Sequence, residues 1–293
     1  MIKNYLKLLR LPQWIKNFFV FVPLVFSQHL FDKAFFILSL TGFVIYCVTS
    51  SLVYIINDVI DLEADKAHPV KKNRPLPSGN ISRINAILLA TIIFVIVGTA
   101  LIQFNEYFAF SVLAYFILNI LYSFSFKHIV LLDIFSIAAG FTLRVIAGAL
   151  IISVPISSWL LLTTMFISLF LAVMKRQSEL KLIQDDSNTA TRKVLASYSL
   201  DFTNQIATVA ASGVIICYTL YTVSTRTVSI FGTENLIYTT PFVVFGIFRY
   251  MYLVYINKKG ENTTEIMLTD LPMILNVLLY ILTTTLIVYK IIQ

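Results

Sequence analysis

Long apolar stretches separated by short polar clusters recur along the whole chain. They cover residues 17–31, 34–56, 83–103, 107–125, 130–152, 157–174, 203–224, 236–256 and 270–290. A helix crosses a bilayer with about 20 mostly apolar residues, and each run is close to that length. None shows the period-two alternation of barrel strands, and lipid admits only helices or closed barrels. The pattern predicts nine transmembrane helices in an all-α, polytopic bundle. The first run is the shortest before polar residues intervene, ending at Gln28 and His29 and carrying Pro23. Ahead of it, residues 1–16 mix basic and apolar side chains, with Lys3, Lys7 and Arg10 on one side. This is expected to be an amphipathic segment on the membrane surface, without a small-residue cleavage site behind it.

Composition agrees. Of 293 residues, 58% are hydrophobic and 13% charged, with a mean hydropathy of +0.84. Soluble domains carry about twice that share of charge, so this chain cannot clothe a water-facing surface. An ordinary cytosolic enzyme, a disordered chain and a disulfide scaffold are excluded. Cys47 and Cys217 sit inside apolar runs as packing residues, and His29, His68 and His128 have no second ligand at zinc-like spacing.

The net charge of +7 is unevenly spread. Eighteen basic residues fall on one side of the predicted spans: four before residue 17, five over 66–83, Lys127, five over 175–193, and Arg249, Lys258 and Lys259. The other side holds Lys33, Arg226 and Lys290, which leaves Arg144 inside a span. The positive-inside rule then predicts a cytoplasmic amino terminus in the plasma (inner) membrane, with all long loops cytoplasmic. A single domain over 1–293 is expected, with 57–82 and 175–202 as its functional cytoplasmic loops.

The second run passes directly into Asn57-Asp58-Val59-Ile60-Asp61-Leu62-Glu63-Ala64-Asp65. At about 100° per residue, Asn57, Asp61, Asp65 and Asp58 fall within one arc of about 100°, and Glu63 points the other way. Three carboxylates on one stripe repel weakly on a wet helix and more strongly as the dielectric falls. A cation belongs there. Oxygen-only ligands open to water suit Mg2+, which keeps several waters and is shared with substrate phosphates. The plain alternative is a solvated helix end whose acids pair with Lys66, Lys71 or Lys72.

Asn-Asp-x-x-Asp-x-x-x-Asp at the cytoplasmic end of the second of nine helices resembles the UbiA superfamily of intramembrane prenyltransferases. Further features bring the chain close to the decaprenyl-phosphate phosphoribosyltransferase branch. They are Gln13-Trp14-Ile15-Lys16-Asn17, His68-Pro69, Lys72, Arg74-Pro75, Ser78-Gly79 and Tyr122-Ser123 with Lys127 and Asp133. Leu143-Arg144-Val145-Ile146-Ala147-Gly148, Lys175-Arg176-x-x-Glu179-Leu180, Phe248-Arg249-Tyr250 and the acidic stretch to Asp270 complete the set. The resemblance implies a UbiA-like bundle with a cavity open to the cytoplasm. It also implies transfer of 5-phosphoribosyl from phosphoribosyl diphosphate to a polyprenyl phosphate, for cell-envelope glycan precursors. Mg2+ is the implied cofactor, held by Asn57, Asp58, Asp61 and Asp65.

Aromatic-acceptor members carry a second aspartate-rich motif after the sixth span. Here that place holds Lys175, Arg176 and Glu179, two cations and one acid. A donor with a diphosphate and a phosphate monoester, and an acceptor with a third phosphate, call for such cations. The phosphate candidates are Lys16, Lys72, Arg74, Lys127, Lys175 and Arg176. Asn57, Tyr122, Arg144 and Glu179 join them as substrate-binding candidates, and Asp58, Asp61 and Lys127 are the catalytic ones. Lys71, Lys181, Lys258 and Lys259 read as topology anchors. Arg144 lies about 16 Å deeper in its span than Asp133 on nearly the same side, and Gly148 one turn on predicts close packing beside it. At that depth it needs a cavity or a partner, and carbonyls or polar side chains are expected. Asn119, Tyr122, Ser123 and Lys127 form a polar stripe at three- and four-residue steps.

Two other readings compete. An aromatic prenyltransferase of the quinone or haem pathways would use a prenyl diphosphate donor and needs the second acidic motif. A transporter or flippase would gather its polar groups near the midplane, whereas here charge gathers at one rim. Expected partners are the lipid phosphate, the sugar diphosphate and the membrane, with no nucleic acid and with room for a homo-oligomer.

Overall fold

A computed structural model describes residues 2–68, 70–185, 193–256 and 269–290. It is helical, with no strand among the described residues. In chain order the helices are α1 (Ile2–Leu8), α2 (Val22–Phe26), α3 (Lys33–Ile60), α4 (Leu62–Ala67), α5 (Arg83–Leu101), α6 (Glu106–Phe124), α7 (Leu132–Ile151) and α8 (Ser158–Asp185). There follow α9 (Leu200–Val223), α10 (Thr225–Phe231), α11 (Thr240–Tyr255) and α12 (Leu271–Val288). Eight helices among the described residues are long and apolar enough to cross a membrane. That is one fewer than the nine runs, and the difference is the first. Leu11–Phe21 is a 3-10 segment that passes into the five-residue α2. The expected loop at 175–202 also begins later than its sequence limits, because α8 continues to Asp185; Lys258, Lys259 and Pro69 lie outside the described residues.

Local chemistry accounts for the starts of these helices. Asp32 accepts from the backbone N–H of Ala34 (2.9 Å) and caps α3; Ser82, Asn105, Ser199 and Asp270 do the same for α5, α6, α9 and α12. Pro241 and Pro272 fall in the first turns of α11 and α12, where a missing N–H costs nothing. The faces of α5 and α12 carry exposed Ile, Leu, Val and Phe, as expected for surfaces solvated by lipid rather than water.

The chain forms two compact units. The first comprises Met1–Val25, His29–Lys127 and Leu143–Pro155; the second comprises Phe26–Gln28, His128–Thr142 and Ile156–Gln293. The core of the first unit is built from Leu8, Val20, Ile45, Tyr46, Leu52, Ile55, Phe108, Tyr115, Ala147 and Ile151 among others. Several of its buried polar groups find partners within the unit, as a low-dielectric interior favours. Tyr46 Oη donates to the carbonyls of Ser111 (3.2 Å) and Leu143 (3.3 Å). Asn17 Nδ2 donates to Ser50 Oγ (3.2 Å) and Trp14 Nε1 to Ser51 Oγ (3.0 Å), which fixes the 3-10 segment against α3. The second unit packs α8, α9 and α11 around Phe170, Met174, Ala207, Val214, Tyr250 and Leu253.

Gly148 is where the 3-10 segment and α7 meet most closely: a Cβ there would lie 2.0 Å from the Val20 carbonyl oxygen and 2.8 Å from its carbon. Backbone cannot step aside as a side-chain tip can. Gly148→Ala is therefore expected to destabilise the first unit by about 1–3 kcal/mol, as overpacking does. A thermal melt in detergent should show the lowered midpoint, and an unchanged midpoint would contradict this packing.

Candidate active site

The carboxylate stripe is built at the end of the longest helix of the first unit. At 28 residues α3 is longer than a bilayer crossing needs, so its last turns carry polar residues beyond the apolar length. The helix breaks at Asp61, yet the register survives: Asp61 N donates to Asn57 O (2.9 Å) and Asp65 N to Asp61 O (2.8 Å). Asp58, Asp61 and Asp65 thus keep one face across the α3–α4 junction. Glu63 lies off that face, exposed and paired with Lys66 at 2.8 Å.

Each of the three acids has a basic partner from the same unit. Lys127 Nζ donates to both oxygens of Asp61, at 2.9 and 3.0 Å. Arg74 Nη1 bridges Asp65 Oδ2 (2.7 Å) and Asp58 Oδ1 (3.4 Å), and Lys71 Nζ lies 3.4 Å from Asp65 Oδ1. Arg10 Nη2 donates to Asp58 Oδ1, and its guanidinium carbon stands 4.8 Å from the centre of the Tyr54 ring. Asp58 and Asp65 are 2% exposed, so these pairs are only partly screened. Three carboxylates meet four cations: the cluster as it stands favours an anion.

Of the residues singled out in the sequence, the structure brings Asp58, Asp61, Asp65, Arg74 and Lys127 together. Asn57 is half-buried on the same stripe. Lys71, read as an anchor, and Arg10, read as part of the amphipathic segment, belong to the cluster. Lys71 reaches Asp65, and Arg10 reaches Asp58 from the amino-terminal segment. Lys72 and Lys16 are exposed, and Tyr122 is half-buried on α6. Its stripe neighbours are satisfied within their own helix, Asn119 Nδ2 donating to Tyr115 O (2.7 Å) and Ser123 Oγ to Asn119 O (2.9 Å).

Tyr54 was not singled out from the sequence, although one turn before Asp58 it falls on the same helical arc. Arg144, 5% exposed, meets polar side chains as expected. Its Nε donates to Asn17 Oδ1 (2.7 Å), its Nη2 donates to Tyr115 Oη (2.8 Å), and its guanidinium lies 4.6 Å from the Tyr115 ring centre.

The second unit holds a separate charged network. Arg176, 1% exposed, donates from Nε to Asp133 Oδ2 (2.7 Å) and from Nη1 to Glu179 Oε2 (2.6 Å). Tyr198 Oη donates to the other oxygen of Asp133 (2.7 Å) and accepts from Leu131 N (2.9 Å). Leu131 has φ +68°, a left-handed strain held by that tether. Burial, reinforced by the hydrogen bond to Asp133, pushes the Tyr198 phenol above its ordinary range, so it remains a donor. Lys175, one residue from Arg176, is exposed. Arg249 grips Asp270 with two parallel bonds of 3.0 and 2.8 Å. Lys181 lies over the Tyr255 ring at 5.3 Å.

A metal would find hard oxygen donors on the stripe, which is the donor chemistry Mg2+ prefers. Among the described residues, however, no group of three His, Cys, Asp or Glu converges closely enough to hold an ion. Arg74 stands between Asp58 and Asp65, where a shared cation would otherwise stand. The residues fit a divalent ion in kind, and their present cations would have to exchange for it.

Comparison with known proteins places this geometry. The chain is 34% identical over 228 residues to decaprenyl-phosphate phosphoribosyltransferase of Mycolicibacterium smegmatis, covering 76% of this chain and 71% of that one. It is 32% identical to the protein of the same name from Corynebacterium glutamicum over 74% of this chain and 66% of that one. Two solved structures share the fold: a UbiA homologue from Archaeoglobus fulgidus bound to GPP and Mg2+, and a digeranylgeranylglyceryl phosphate synthase. The first has a TM-score of 0.70 at 17% identity over 98% of this chain and 99% of that one. The second has 0.68 at 18% identity over 99% of each chain. The model of the UbiA prenyltransferase family matches residues 18–278, and the chain therefore belongs to that family.

Proposed function

We propose that the protein transfers the 5-phosphoribosyl group of phosphoribosyl diphosphate to a polyprenyl phosphate and releases diphosphate. The observation that carries this reading is the cluster of three carboxylates and four cations at the α3–α4 junction, which suits a diphosphate and its counter-ion together. The names of the similar phosphoribosyltransferases support the transferred group and the lipid phosphate acceptor. The excess of basic residues in the predicted inner loops supports an inner-membrane enzyme with a cytoplasmic amino terminus.

The acceptor oxygen forms a bond to the anomeric carbon as the bond from that carbon to the diphosphate oxygen breaks. The electron pair leaves with diphosphate. A phosphate monoester is largely a dianion at neutral pH, so the attacking oxygen has no proton to remove and the aspartates need not act as bases. Asn57, Asp58, Asp61 and Asp65 would hold Mg2+, whose charge would stabilise the departing diphosphate. Lys127, Arg74 and Lys71 hold phosphate oxygens, Arg as a fork and Lys as a point charge. Positive groups fixed before reaction lower the barrier without reorganising during it. Tyr122, Lys16, Lys72 and Lys175 remain candidates for the other phosphates.

For Arg176 we assign a positioning role in place of the phosphate contact read from the sequence. Its guanidinium is consumed by Asp133 and Glu179, which also leaves those two acids unsuited to a second metal. That weighs against a prenyl diphosphate donor.

Membranes supplied with labelled phosphoribosyl diphosphate and polyprenyl phosphate should produce labelled lipid. Excess chelator or Asp61→Ala should lower that labelling by about 100-fold or more; labelling that survives both would overturn the assignment. Arg176→Ala strands the buried Asp133 and the half-buried Glu179 and should lower stability by about 3–5 kcal/mol, visible as an earlier thermal midpoint. A variant that keeps its midpoint and only loses affinity for phosphate would restore Arg176 to the substrate contacts.

A further inference from the structure

Arg10 has no role in the reading above, yet it is the residue through which the amino-terminal segment touches the carboxylates. Its backbone is left-handed, φ 52° and ψ 47°, where α1 ends and the 3-10 segment begins. The bend is held on both sides, Arg10 N donating to Lys7 O (3.2 Å) and Arg10 O accepting from Gln13 N (2.8 Å). A non-glycine residue kept in this region points to a geometry the surroundings demand. Here that geometry delivers the guanidinium to Asp58 across the face of Tyr54. Asp58 is 2% exposed and the Arg10 side chain 23%, so the acid is sealed while the arginine keeps a route to water.

The balance of charge decides what such a contact does. With four cations on three carboxylates, a free divalent ion meets net repulsion and must displace a guanidinium. A diphosphate alone would draw the cations away and leave the acids facing one another. Metal and diphosphate together can exchange partners with the cluster, carboxylates passing to the metal and basic groups to the phosphates. Arg74 and Lys71 contact Asp65, Lys127 contacts Asp61, and Arg10 contacts Asp58, which Arg74 also approaches at 3.4 Å. Withdrawal of Arg10 removes the closer of the two cations on Asp58 and leaves the Asp61 and Asp65 pairs in place.

We propose that Arg10 is a positioning residue that occupies Asp58 in place of the metal and passes to a phosphate of the donor when donor and metal arrive. Metal binding is thereby coupled to donor binding. This rests on the reading that a divalent ion sits on the carboxylates.

Opposite effects on the two ligands distinguish this role from a structural one. Mn2+ binding to the purified full-length protein is measured by electron paramagnetic resonance without donor. Binding of labelled phosphoribosyl diphosphate is measured at saturating Mn2+. Arg10→Gln should tighten Mn2+ binding by about tenfold and weaken donor binding by a similar factor, within the range of ordinary coupling between sites. Arg10→Lys, which keeps the charge, should leave Mn2+ affinity within about twofold of the parent. An Arg10→Gln protein that binds both ligands more weakly, or Mn2+ unchanged, overturns the proposal. Asp61→Asn separates the two failures. If it abolishes Mn2+ binding while Arg10→Gln leaves that binding unchanged, the metal reading stands and the Arg10 role falls. If Mn2+ binding ignores Asp61→Asn, both fall.

Discussion

Three acids at the end of one helix, at the edge of an apolar unit, cannot stand unaccompanied. Coulombic repulsion grows as water withdraws, and two of these carboxylates are almost fully buried. The cations that relieve it come from four separate places along the chain: the bend after α1, two sites in the turn after α4, and the segment following α6. Each of those segments must therefore end where the acids are. The electrostatics of Asp58, Asp61 and Asp65 set the ends of the loops around them, and the same charges define what the site can bind.

The interior of the first unit shows the same economy with a different chemistry. Asn17 and the ring and hydroxyl of Tyr115 meet the guanidinium of Arg144. Asn17 also reaches Ser50 on α3, so one amide joins the 3-10 segment to two helices. Close approach at Gly148 lets those side chains meet. In the second unit Arg176 meets two acids, one of which, Asp133, is also held by Tyr198, a stiffer arrangement that suits a buried support.

Periodicity made the spans and the acidic arc legible, because both follow from one helix and its 100° step. The break at Asp61 left the arc intact since backbone bonds continue through it. What one helix cannot reveal is who faces it. Arg10 and Lys71 look like any basic loop residue in the sequence; only the fold shows that a left-handed bend and a short turn aim them at Asp58 and Asp65. The acid facing Arg176 is hidden for the converse reason, Asp133 lying 43 residues away. The first run is mostly apolar, and composition does not reveal that Leu11–Phe21 winds as a 3-10 segment fixed by Trp14 and Asn17 against α3.

The central claim is that these carboxylates exchange protein cations for a metal-bound diphosphate. It is tested most directly by an experimental structure of the protein with Mn2+ and diphosphate, the ion located by its anomalous scattering. The account predicts an anomalous peak among Asp58, Asp61 and Asp65, with Arg10 and Arg74 turned from the acids to the diphosphate oxygens. Ion pairs left intact, with manganese and diphosphate bound elsewhere, would contradict it.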